Sequence, residues 1–85
     1  MYKIATASKN VEKRLRKYLE MRNDIAGKLD RLRNNSRGEL GAHQLYGRLE
    51  GKWSCWLGSN IRMIYVIDEL NKTIIVQAVG THKVY

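Results

Sequence analysis

In "GKWSCWLGSNIRMIYVID", residues 51 to 68, an arginine interrupts a run that otherwise has the apolar and aromatic content of buried sheet. Strand side chains alternate between two faces, so Lys52, Ser54 and Trp56 share one face while Trp53, Cys55 and Leu57 share the other. In the next run Arg62, Ile64 and Val66 oppose Ile61, Met63, Tyr65 and Ile67. If the odd-numbered face packs against helices, Arg62 emerges on the opposite face beside Trp56 and Ser54. A guanidinium is permanently charged and its planar fork matches phosphate oxygens, so an arginine on a sheet floor suits phosphate binding. A structural ion pair with Asp68 or Glu50 accounts for the same pattern equally well. No metal is expected, because Cys55, His43 and His82 lack close ligand spacing and Cys55 falls on the expected core face.

The elements that must position these residues follow from the hydrophobic period. Tyr2 to Ala7 alternates loosely and suits a first strand, after which Ser8 or Asn10 can cap a helix. Apolar residues then recur at helical spacing through Val11, Leu15, Tyr18, Leu19, Ile25, Leu29 and Leu32. Asn23-Asp24 divides them into a helical hairpin, with one long bent helix as the alternative. "NNSRGELGA", Asn34 to Ala42, concentrates breaker residues and reads as a loop. The runs "KWSCWL", "IRMIYVI" and "TIIVQAV" have strand length and composition and are joined by "GSN" and "DELNK", giving a three-strand meander. The expected fold class is α+β, in the order β-α-α-β-β-β, with the helical hairpin on one face of a mainly antiparallel sheet.

With 85 residues, 44% of them hydrophobic, the chain is expected to form a single domain over residues 1–85 with one modest core. No proline-rich linker or internal repeat divides it. The lone Cys55 precludes an internal disulfide, no apolar run approaches membrane length, and Met1-Tyr2-Lys3-Ile4 lacks a signal-peptide layout, so a cytoplasmic protein without a membrane partner is expected.

The formal net charge of +8 points to a polyanionic partner. Lys9 to Arg37 holds ten Lys and Arg against four Asp and Glu, which makes the helical hairpin the basic element. Lys9, Lys13, Arg14, Arg16 and Lys17 form its candidate face for a long phosphate backbone such as ribosomal RNA, held without sequence readout and weakened steeply by salt. The alternative is a solvated helix face with Glu12 and Glu20 in intrahelical pairs.

The tail "HQLYGRLEGKWSCWLGSNIRMIYVID…IIVQAVGTHKVY" resembles the RelE/ParE superfamily of toxins from type II toxin-antitoxin modules, especially its RelE and YoeB branches. The shared frame is a leucine, a glycine and an aromatic leading into a strand, an Arg-apolar-apolar-Tyr strand, and a last strand ending near a tyrosine. The resemblance covers roughly residues 44 to 85. It implies a ribosome-dependent endoribonuclease, needing no cofactor, that cleaves messenger RNA in the decoding site and is held inactive by a wrapping antitoxin, expected to be acidic. Arg62 is then the cation for the scissile phosphate.

His43 stands where the YoeB-like pattern has a glutamate. Ser54 and Trp56 stand where the RelE-like pattern has lysines. His82 stands where RelE-like members have an arginine and YoeB-like members have a nearby histidine, and Tyr85 falls close to the terminal tyrosine of both.

Attack by the 2′-hydroxyl needs a base, an acid for the departing 5′-oxygen and positive charge at the phosphate. Two imidazoles can share the acid and base roles near neutral pH. The resemblance therefore implies His43 and His82 as acid-base candidates and Arg62 as transition-state stabiliser, with Tyr85 or Trp56 against a base. Lys52, Ser54 and Lys83 complete the expected substrate contacts. The same scaffold also serves ParE-type inhibitors of DNA gyrase, and a catalytically silent homologue that binds an antitoxin within a repressor complex is a further alternative.

Overall fold

A computed structural model describes residues 1–58 and 60–81. The elements are β1 (Lys3–Thr6), α1 (Lys9–Met21), α2 (Asp24–Asn34), β2 (His43–Gln44), a 3₁₀ turn (Gly47–Leu49), β3 (Trp53–Trp56), β4 (Arg62–Asp68) and β5 (Thr73–Gly80). They form the expected α+β fold, a helical hairpin against a five-stranded sheet in the order β1-β5-β4-β3-β2. The meander is antiparallel throughout, whereas β1 runs parallel to β5, its return crossing through the helices.

The helices begin and end where local chemistry dictates. Ser8 caps α1 by accepting from the Val11 amide at 3.2 Å, one of the N-terminal donors left without an intrahelical partner. The chain turns extended at Arg22, whose guanidinium bonds the Asp24 carboxylate, so the hairpin replaces the single bent helix. In α2, Ile25, Leu29 and Leu32 are buried at spacings of four and three, one stripe against the sheet. Only Leu15 of α1 reaches comparable burial, leaving most of that helix facing water. Among the described residues, no helix is long and apolar enough to cross a membrane.

The odd-numbered face of β3 and β4 packs on the helices, the condition under which Arg62 falls on the opposite face. Cys55, Leu57, Ile61, Met63 and Tyr65 join Leu15, Ile25, Leu29, Leu32, Ile74, Val76 and Val79 in one core cluster. Strict alternation would place Val76 and Val79 on opposite faces of β5. A bulge resolves this: Ile64 pairs with Ala78 and Tyr65 with Val76, so Gln77 is the extra residue and both valines turn into the core.

Two segments differ from expectation. The β2 strand is absent from the expected element order, and it places His43 in the sheet opposite Ser54. The stretch 35–42 has no regular structure but is tightly tied. The buried Tyr65 hydroxyl donates to the Ser36 carbonyl at 2.7 Å, Arg31 pairs with Glu39 at 2.7 Å, and the Trp56 amide donates to the Leu40 carbonyl at 2.9 Å. The first and last of these satisfy backbone carbonyls that no ladder reaches.

Candidate functional site

Strand register assembles the site on the sheet face opposite the helices. His43 lies opposite Ser54, and Ser54 opposite Ile64. One step along, Trp56 lies opposite Arg62, and Arg62 opposite Gly80. The half-buried Arg62 guanidinium carbon sits 4.1 Å from the centre of the Trp56 ring, within cation–π range. From strand spacing and rise, the His43 and Arg62 backbones are about 12 Å apart, close enough for both side chains to reach one nucleotide.

The expected alternative of an Asp68 ion pair does not fit this geometry. Asp68 is at the far end of β4, paired with Thr73, whereas Arg62 pairs with Gly80. The Asp68 carboxylate instead accepts from the Asn71 amide and side chain, and those bonds hold its pKa below the ordinary carboxylate value.

His43 is exposed, with Nδ1 3.1 Å from the Gly41 carbonyl. A carbonyl can only accept, so as a hydrogen bond this contact places a proton on Nδ1, and in the neutral ring Nε2 is then the lone-pair nitrogen. Ser54 occupies the expected face but is completely buried, which makes it floor rather than contact surface. Lys52 lies just before β3 and is half-buried. Trp56 remains 37% exposed, with one ring face taken by Arg62. Cys55 is buried in the core, and desolvation pushes its thiol up to about 12, leaving it neutral and unsuited to nucleophilic or metal chemistry. His82, Lys83 and Tyr85 lie outside the described residues.

Charge is distributed less evenly over the helical hairpin than its composition implies. The α2 cations and Arg37 are neutralised: Lys28 by Asp24, Arg31 by Glu39, Arg33 by Asp30 and Arg37 by Glu69. On α1, Arg16 pairs with Glu12. Lys9, Lys13, Arg14 and Lys17 have no such ion pair among the described residues, and the last three line a groove of about 480 Å³ with Tyr18 and the exposed Met21. Field strength follows net local charge, so the basic face narrows to α1.

Sequence reasoning missed Leu40 and Gly41. Their backbones take left-handed φ values of 59° and 66°, and they touch the site from outside the sheet. The glycine in "GELGA" marks a turn, but which side chains it meets is a nonlocal property.

No protein-family model and no curated protein sequence matches the chain. Solved structures do. A conserved hypothetical protein from Helicobacter pylori is 25% identical, with 96% of each chain covered and a TM-score of 0.68. A chain of the YoeB-YefM complex from Staphylococcus aureus is 16% identical over 96% of this chain and 98% of that one, with a TM-score of 0.74. A YoeB/ParE toxin from Agrobacterium tumefaciens is 18% identical over 94% and 98%, again with a TM-score of 0.74. The chain has the RelE/ParE toxin fold. In this RelE/ParE fold Arg62 lies on β4, the middle strand of the five rather than an edge, which limits its backbone freedom.

Proposed function

We propose that this protein is the toxin of a type II toxin-antitoxin pair and a ribosome-dependent endoribonuclease that cleaves messenger RNA by 2′-hydroxyl attack on the adjacent phosphate. The observation that carries this reading is the convergence of Arg62, stacked on Trp56, with an exposed His43 on one sheet face. Arg62 offers paired donors to the phosphate and stabilises the charge that grows on its oxygens. Trp56 holds that guanidinium and presents its exposed edge to a nucleobase. With its proton on Nδ1, His43 directs Nε2 outward as a base for the 2′-hydroxyl. His82 is the proposed acid for the 5′-oxygen, with Tyr85 against a base and Lys83 on the backbone. DNA lacks the 2′-hydroxyl and should not be cut.

Ribosome binding falls to the α1 cations Lys9, Lys13, Arg14 and Lys17, with Arg16 already engaged by Glu12. An acidic antitoxin is the proposed protein partner, supported by the likeness to a chain from a toxin-antitoxin complex and by the uncompensated positive charge. The cytoplasm, where ribosomes work, is the proposed compartment.

A second reading, ParE-like inhibition of DNA gyrase, is favoured by one observation. The β3 face carries a buried serine and a tryptophan where RelE-type members carry lysines. Adding the purified chain to a reconstituted translation reaction and to a gyrase supercoiling assay separates the two. Loss of translation with supercoiling intact supports the nuclease. The reverse result supports gyrase inhibition.

A further inference from the structure

The site residues are positioned by a segment that is neither helix nor strand. Gly41 contacts two of them by different means. Its carbonyl accepts from His43 Nδ1 at 3.1 Å, and its α-carbon sits so near Trp56 that an added Cβ would lie 3.2 Å from the indole Cδ1. Leu40 supplies a third link through its carbonyl, which accepts from the Trp56 amide at 2.9 Å. Both residues hold left-handed φ values, a conformation that costs a leucine energy and must be imposed by its surroundings. The imposing contacts are on either side: Arg31 on Glu39, Tyr65 on Ser36, and the Ala42 amide donating to the Glu39 carbonyl at 3.0 Å.

We propose that the Leu40–Gly41 turn is the positioning element of the site, fixing His43 in its Nδ1–H tautomer and seating the Trp56 ring against which Arg62 stacks. Its effect on catalysis rests on the ribonuclease reading, whereas its effect on the two rings does not. Gly41 is required twice over, once for its φ of 66° and once because a side chain would press on Trp56. An alanine there strains the backbone and pushes the ring. Asparagine tolerates the left-handed region, so it keeps the carbonyl in place while still pressing on the ring.

The test records imidazole nitrogen and indole NMR signals in the wild-type chain, G41A and G41N, with His43→Gln used to assign the His43 signals. Reconstituted cleavage is measured alongside. In the wild type, neutral His43 should be mainly Nδ1–H. G41A should lose that preference and shift the Trp56 indole signal. G41N should shift the indole signal and retain the tautomer. Cleavage by G41A should fall about 10- to 100-fold in kcat with KM little changed, as expected of misplaced groups rather than weakened binding. A wild-type His43 that is mainly Nε2–H would overturn the proposal. So would a G41A chain with both signals unchanged. If the tautomer and indole behave as described but no RNA is cut by the wild type, the positioning role stands and the ribonuclease reading fails.

Discussion

The guanidinium of Arg62 stacks on the indole of Trp56 across the β3–β4 pair, 4.1 Å from the ring centre. A planar, delocalised cation can do this, and a lysine ammonium cannot reproduce the stacked, forked geometry. Arg62→Lys is therefore expected to keep the charge yet lose activity by about tenfold, with Arg62→Ala falling by about 100-fold or more. Trp56→Ala, measured in the same cleavage assay, should resemble Arg62→Lys, because it removes the support and leaves the cation.

Tyr65 ties the loop to the core through its hydroxyl, which donates to the Ser36 carbonyl at 2.7 Å inside the protein. Burial also raises the Tyr65 pKa, so the group stays a neutral donor. Tyr65→Phe leaves that carbonyl buried and without this donor. It should cost about 1–2 kcal/mol. For a domain of this size each kcal/mol lowers Tm by roughly 4–8 °C, which thermal unfolding would detect.

Neutralising cations on α1 and α2 should have opposite signatures. Replacing Lys13, Arg14 and Lys17 with glutamine should weaken ribosome binding and flatten its salt dependence, by about one unit of log–log slope for each phosphate that is no longer neutralised. Stability should change little. Arg31→Gln removes the pair with Glu39 and should loosen the 35–42 loop while leaving the salt slope intact. Ribosome sedimentation at several salt concentrations and thermal unfolding distinguish the two.

Glu69 accepts from the Tyr2 hydroxyl and from Arg37, and these bonds lower its pKa from the ordinary carboxylate value. Its native pKa is below its unfolded one, so the stability it contributes is complete above the unfolded value and disappears as pH falls through the native value. Asp24 contributes in the same sense, through Arg22 and then Lys28. Glu69→Gln should reduce the pH dependence of stability on the acid side and leave its shape near neutrality unchanged, as followed by denaturant unfolding across that range.

Arg62 can be assigned to its face from the sequence because β3 and β4 alternate without interruption from Trp53 to Trp56 and from Arg62 to Ile64. The Gln77 bulge cannot be read that way, since it inverts the period in the middle of an apolar run. Two residues have no period, so β2 is equally invisible, and with it the alignment of His43 opposite Ser54. The charge pattern misleads for a different reason. Lys9 to Arg37 looks basic throughout, but Asp24 and Asp30 pair with Lys28 and Arg33 within α2, and Glu39 and Glu69 come from beyond the helices to neutralise Arg31 and Arg37. Ser54 has the face expected of a substrate contact, but alternation does not report what lies above a small side chain.

The most direct test maps messenger RNA 5′ ends by reverse transcription after incubation in a purified translation system, with ribosomes present or omitted, using the wild-type chain and Arg62→Ala. Thermal unfolding of both chains first establishes that the variant is folded. New ends that arise only with ribosomes, inside codons, and disappear with Arg62→Ala are the expected result. The ribonuclease proposal fails if the wild type produces no cuts, or if a folded Arg62→Ala chain cuts as well as the wild type.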